Sequence, residues 1–87
     1  MKASKPEALR RLAYIEGHVK GIRRMVENDE YCVDILKQTR AVKRALDRFD
    51  ALLLEGHFAG CVAEGFREGR DDDVLRELHE LFDLSRR

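Results

Sequence analysis

Apolar residues recur along this chain in alternating steps of three and four. Ala8, Leu12, Ile15, Val19, Ile22 and Val26 make one such series, the seam of an amphipathic helix that packs against another helix. Ser4 precedes the series and Glu7 follows it by three, the pairing of a capping box. Pro6 suits a first turn, where a missing N–H costs nothing. Asn28-Asp29-Glu30 interrupts the pattern and offers a cap for the next helix. Cys32, Ile35, Thr39, Val42, Leu46, Phe49 and Leu53 resume it, and one further step of four reaches His57. These positions predict a long second helix over residues 30–63. Around Gly65 and Gly69 the pattern fails. Asp71, Asp72 and Asp73 then supply the negative charge that favours a helix start, ahead of Val74, Leu75, Leu78, Leu81 and Phe82 on a short third helix. No alternating runs flank a hairpin dipeptide. The reading is all-α, three helices per chain, with residues 1–87 as a single domain.

Length sharpens this picture. A chain of 87 residues buries only about 60% of its unfolded surface, so long apolar seams on so small a body point to self-association. No run approaches the roughly 20 apolar residues of a membrane span, and the N-terminus leads into charged residues. The expectation is a cytoplasmic protein with no membrane partner. The formal charge is zero, with 17 Lys and Arg against 17 Asp and Glu, but residues 1–48 are net +5 and residues 49–87 net −5. The basic half can meet a polyanion, and oligomerisation would multiply that face.

Cysteine and histidine carry the chemistry. Two cysteines are too few for a disulfide framework and read as metal-binding or redox groups. His57 and Cys61 are four apart, stacked on one face of a helix and able to share one metal ion. Cys32 lies on nearly the same stripe, but about 37 Å away along a straight helix. An antiparallel pair of second helices would bring Cys32 of one subunit to His57 and Cys61 of the other, twice over by symmetry. Two thiolates and one imidazole, with no fourth ligand, suit low-coordinate Cu(I) better than Zn(II). Tyr31, beside Cys32, either caps the bundle end or reaches the opposite imidazole. Glu77 is either a solvated charge or an acceptor for the free imidazole N–H. His18 suits a solvated or phosphate-facing role, and His79 a partly exposed one. Gly17 and Gly21 read as a close-packing pair, whereas Gly56 and Gly60, flanking His57 and Cys61, suit packing or ligand access equally.

Three segments together, Arg11 to Ile22, Tyr31-Cys32-Val33-Asp34-Ile35-Leu36 and Gly56-His57-Phe58-Ala59-Gly60-Cys61-Val62, resemble the copper-sensitive operon repressor family of bacterial transcription regulators over nearly the whole chain. The resemblance implies an antiparallel four-helix-bundle dimer, a dimer-of-dimers tetramer, and operator DNA binding without a helix-turn-helix. It implies that Cys32 of one subunit and His57 and Cys61 of the other bind Cu(I), with Tyr31 and Glu77 holding the histidine. Metal binding would release the repressor from double-stranded operator DNA and derepress copper export. The nickel- and cobalt-responsive branch has an extra N-terminal histidine and histidine in place of Cys61, neither found here. The formaldehyde-responsive branch has proline where this chain has Lys2, and the persulfide-responsive branch lacks a histidine matching His57. The family commonly has glutamine in place of His18.

The basic residues available to DNA are Arg11, Lys20, Arg23, Arg24, Lys37, Arg40, Lys43, Arg44 and Arg48, of which Arg11 and Arg48 match operator-binding positions of the family. Such a surface binds mainly through phosphates, and the aromatic residues fall on or near the seams and form no single-strand stacking platform. A thiol redox or persulfide sensor built on Cys32 and Cys61 is the alternative function. An enzyme with Cys61 as nucleophile and His57 as base lacks a third orienting group and a roomy cleft, so no enzymatic activity is expected.

Overall fold

The structure, a computed structural model, describes residues 1–86. Helix α1 spans Lys5–Glu27 and α2 spans Cys32–Gly56; a π-helical turn, His57–Val62, leads into α3, Ala63–Arg67, and α4 spans Asp71–Ser85. The backbone stays right-handed helical through Gly56, His57, Val62 and Ala63, so α2, the π turn and α3 form one rod. That rod runs four residues beyond the predicted end. Gly65, read as a break in the pattern, is helical and buried.

Local chemistry explains the ends. Ser4 Oγ accepts the Glu7 N–H at 3.4 Å, half of the expected capping box. The other half is absent because the Glu7 carboxylate turns to Arg10 and Arg11 instead. The sequence reading has Asn28-Asp29-Glu30 cap α2; in the structure the segment closes α1 instead. Glu30 N–H donates to Met25 O and Asp29 N–H to Val26 O, with Asp29 at φ 51°, the Schellman arrangement. Tyr31 is the residue at the α2 N-terminus, without a side-chain cap. The same device ends α3: Arg70 N–H reaches Gly65 O, Gly69 N–H reaches Phe66 O, and Gly69 takes φ 77°, a conformation glycine adopts without strain. Three aspartates open α4 as predicted.

The short Asn28–Tyr31 link makes α1 and α2 an antiparallel hairpin, pinned midway by His18 Nε2 and Gln38 Oε1 at 2.8 Å. Helix α4 folds back beside the C-terminal half of α2, with Leu78, Leu81 and Phe82 bordering a groove against Leu53, Leu54 and Phe58. The body measures 56 × 29 × 13 Å, about one helix diameter thick. Such a slab has almost no inside. Among the described residues, only Ala8, Ile15, Val42 and Val74 are buried apolar side chains, while Val19, Val26, Leu46 and Phe82 of the seams lie open. Gly17 meets nothing and Gly21 only the Arg24 guanidinium, so the packing role expected of that pair finds no neighbour within the chain.

Candidate metal centre

The π turn carries His57 and Cys61 at its first and fifth positions. Its hydrogen bonds step by five residues instead of four, a local widening frequent at functional sites. Gly60 within it and Gly56 before it lack the side chains that would obstruct approach. Both His57 and Cys61 border two cavities in common, one of about 440 Å³ and one of about 260 Å³. Cys61 is half-buried, and the His57 side chain is 30% exposed.

Glu77 reaches this turn from α4. Its Oε2 stands 3.3 Å from His57 Nε2, as the sequence reading allowed. With Nε2 facing a carboxylate, Nδ1 is the nitrogen left to accept a proton or a metal. This contact also ties the π turn to α4 across 20 residues of sequence.

Cys32 is the first residue of α2 and is exposed. His57 lies just past the other end of that helix, about 37 Å away by helical rise. Tyr31 stays with Cys32 and is likewise exposed. Among the described residues, no three His, Cys, Asp or Glu side chains of one chain gather for a metal ion. The structure therefore brings together His57, Cys61 and Glu77, and leaves Cys32 and Tyr31 at the far end of the rod. As a donor set, one thiolate and one imidazole fit a soft ion that still needs another ligand.

Sequence reasoning missed the arm that precedes α1. Residues 1–3 lie along the glycine track of the rod. A Cβ on Gly56 would fall 2.6 Å from Ala3 N, and one on Gly60 would fall 2.7 Å from Lys2 Cγ. Lys2 Nζ ends 3.2 Å from Glu64 Oε1, and Met1 and Lys2 border the same cavity as His57 and Cys61. The available signal was the pair of glycines four apart around the two ligands, which marks a close approach without saying what approaches.

The basic residues divide into two settings. Arg11 and Arg48, with Arg10 and Tyr14, surround a cavity of about 390 Å³ between α1 and α2. Glu7 sits among them. Hydrogen bonds from Arg11 and then Arg10 hold its carboxyl below its ordinary pKa. Lys20, Arg23, Arg24, Lys37, Arg40, Lys43 and Arg44 are exposed along the two helices, Arg23 pairing with Glu27 at 3.1 Å. His18 is half-buried, with Gln38 Oε1 2.8 Å from its Nε2, and His79 is exposed with Asp83 Oδ2 at 3.4 Å.

Comparison with known proteins adds to this geometry. The family of metal-sensitive transcriptional repressors matches residues 4–86. The copper-sensing transcriptional repressor CsoR of Bacillus subtilis is 45% identical over 78 residues, covering 90% of this chain and 77% of that protein. The CsoR of Mycobacterium tuberculosis is 38% identical over 78 residues, covering 90% of this chain and 66% of that one. Among solved structures, the Cu(I)-bound copper-sensing repressor CsoR of Geobacillus thermodenitrificans is similar at a TM-score of 0.91 and 39% identity, over 100% of this chain and 94% of that chain. The nickel-responsive transcriptional regulator InrS follows at 0.81 and 36%, over 95% and 93%.

Proposed function

Because this chain belongs to the metal-sensitive transcriptional repressor family, we propose that it is a copper(I)-responsive repressor that holds operator DNA when metal-free and lets go when Cu(I) binds. The observation that carries this reading is the π turn, which presents Cys61 and the Nδ1 side of His57 together while Glu77 engages Nε2. Cu(I), when bound, supplies a soft, low-coordinate centre that two thiolates and one imidazole satisfy. His57 and Cys61 provide two of those donors, and Cys32 of a second subunit provides the third. An antiparallel pairing of two α2 rods supports this, since it sets the start of one against the end of the other. The open seam residues of the slab need such a partner, and a four-helix bundle of two α1–α2 hairpins buries them. A dimer of dimers then repeats the basic face four times.

The chain's residues also supply a lever. Coupling requires that the metal prefer the DNA-free shape. Glu77 sits on α4, and His57 on the rod. When Nδ1 is committed to a metal, the other nitrogen carries its proton and donates to Glu77, tightening α4 onto the π turn. Tyr31, adjacent to Cys32, comes to the same histidine from the partner subunit. The exposed basic residues and the Arg11–Arg48 cavity engage DNA phosphates. A two-thiol redox device would use this histidine only to lower a thiol pKa, whereas metal ligation uses both of its nitrogens, so the metal reading stands ahead of it. A repressor acting from the cytoplasm, with no enzymatic step, is the corresponding cellular role.

An anaerobic Cu(I) titration of the reduced protein, followed by operator-DNA anisotropy with and without metal, tests the proposal. The expected result is one Cu(I) per subunit in a two-sulfur, one-nitrogen environment by X-ray absorption, together with weakened DNA binding. One metal per dimer, a four-coordinate oxygen-rich shell, or DNA affinity indifferent to Cu(I) would overturn it.

A further inference from the structure

Three carboxylates border the smaller cavity beside His57 and Cys61: Glu64, Asp73 and Glu77. Each has a cation. Glu77 faces His57 at 3.3 Å, and Asp73 pairs with Arg76 on its own helix at 3.2 Å. The cation for Glu64 comes from the far end of the chain, as Lys2 Nζ at 3.2 Å. An exposed ion pair of this kind holds weakly by itself. Here the Gly56–Gly60 track seats the arm, because a side chain at either glycine would collide with Ala3 or Lys2. Glu64 follows Cys61 by three residues, so the two are neighbours on one face of the rod.

We propose that Lys2 is a metal-specificity residue, whose ammonium group keeps the Glu64 carboxylate from becoming a fourth ligand at the His57–Cys61 site. The inference rests on the copper reading above. Without Lys2, Glu64 adds an oxygen donor and a negative charge to two thiolates and an imidazole. Four such donors make a tetrahedral set that Zn(II) accepts, whereas three leave a set suited to Cu(I). The Lys2 charge also repels a divalent ion from this side about twice as strongly as a monovalent one.

The test uses the reduced protein, its Lys2→Met variant, which keeps most of the side chain's length without its charge, and the Lys2→Met/Glu64→Gln double variant. Zn(II) and Cu(I) affinities are measured by chelator competition, and Co(II) absorption reports coordination number. Lys2→Met is expected to raise Zn(II) affinity about tenfold and to give the intense d–d bands of four-coordinate Co(II), with Cu(I) affinity at the wild-type value. The double variant returns both readouts to wild type. Unchanged Zn(II) affinity in Lys2→Met, or an equal rise in both variants, overturns the role of Lys2. Failure of the wild-type protein to bind Cu(I) through two sulfurs and one nitrogen would instead overturn the copper reading, and that measurement comes first.

Discussion

Gly65 is the position where a single methyl group has the most structural consequence. In an exposed helix, glycine to alanine stabilises by about 1 kcal/mol. Gly65 is buried, however, and a Cβ there would overlap Val74 Cγ2, on the most buried apolar side chain of the molecule at 3% exposure. Val74 is β-branched and stiff at χ1, so it cannot swing aside, and α4 must shift bodily. Overpacking of this kind costs about 1–3 kcal/mol, which outweighs the propensity gain. We expect Gly65→Ala to lose about 1 kcal/mol in urea unfolding at fixed protein concentration. Val74→Ala removes two methyl carbons and should cost about 1.5 kcal/mol. Combining them lets the new methyl occupy the vacated space, so the double variant should be less destabilised than the two losses added together, by at least about 0.5 kcal/mol. Glu77 follows Val74 by three residues, so Gly65→Ala should also pull it from His57 and reduce the metal's effect on DNA binding. A Gly65→Ala protein as stable as wild type, or strict additivity, would refute the close α3–α4 joint.

Other outcomes follow from the same geometry. Glu77→Ala should keep most Cu(I) affinity, since the ligands remain, yet lose much of a metal–DNA coupling that is commonly about 1–3 kcal/mol; chelator competition and DNA anisotropy measure the two separately. Heterodimers of Cys32→Ala with His57→Ala chains should retain one intact Cu(I) site per dimer, because both defects fall in the other; finding none would place all ligands in one chain. The carboxyl of Glu7 titrates below its ordinary value of 4.5 because Arg11 and Arg10 bond its charged form. Its stabilising contribution is therefore complete above that value and fades as pH falls through it towards the lowered folded pKa, and Glu7→Gln should flatten that part of an acid-unfolding curve. Arg48→Ala should weaken operator binding and shallow its logarithmic salt dependence by about one unit.

Much of this arrangement was legible from the chain alone. Steps of three and four placed all three rods, and the stripe shared by Cys32, His57 and Cys61 put the first of them a helix length away from the other two, as the structure has it. Glu77 was one of two readings, a solvated charge or an acceptor for the imidazole N–H, and its contact with His57 Nε2 favours the second. The π turn was not legible, since a single register slip leaves the hydrophobic repeat almost unchanged and depends on backbone bonding around two glycines. The role of Asn28–Glu30 was misassigned because Asp and Asn serve at either helix end, and only the φ of 51° at Asp29 shows which. Val19 and Val26 belong to the predicted seam yet lie open, because a repeat records that a face wants cover without recording which chain supplies it. The Lys2–Glu64 pair joins positions 62 apart, beyond the reach of any local pattern.

A slab 13 Å thick makes abundance a property of the fold. Where a second slab supplies most of the burial, stability rises with protein concentration, and a solitary chain spends much of its time open to proteases. On the proposed pairing, copies below the association threshold would be the ones proteases reach, while copies above it would shelter one another. The working pool of such a regulator then responds steeply to its rate of synthesis. Turnover of unpaired chains sets a floor beneath which no regulation occurs, so expression level becomes a control input alongside the effector.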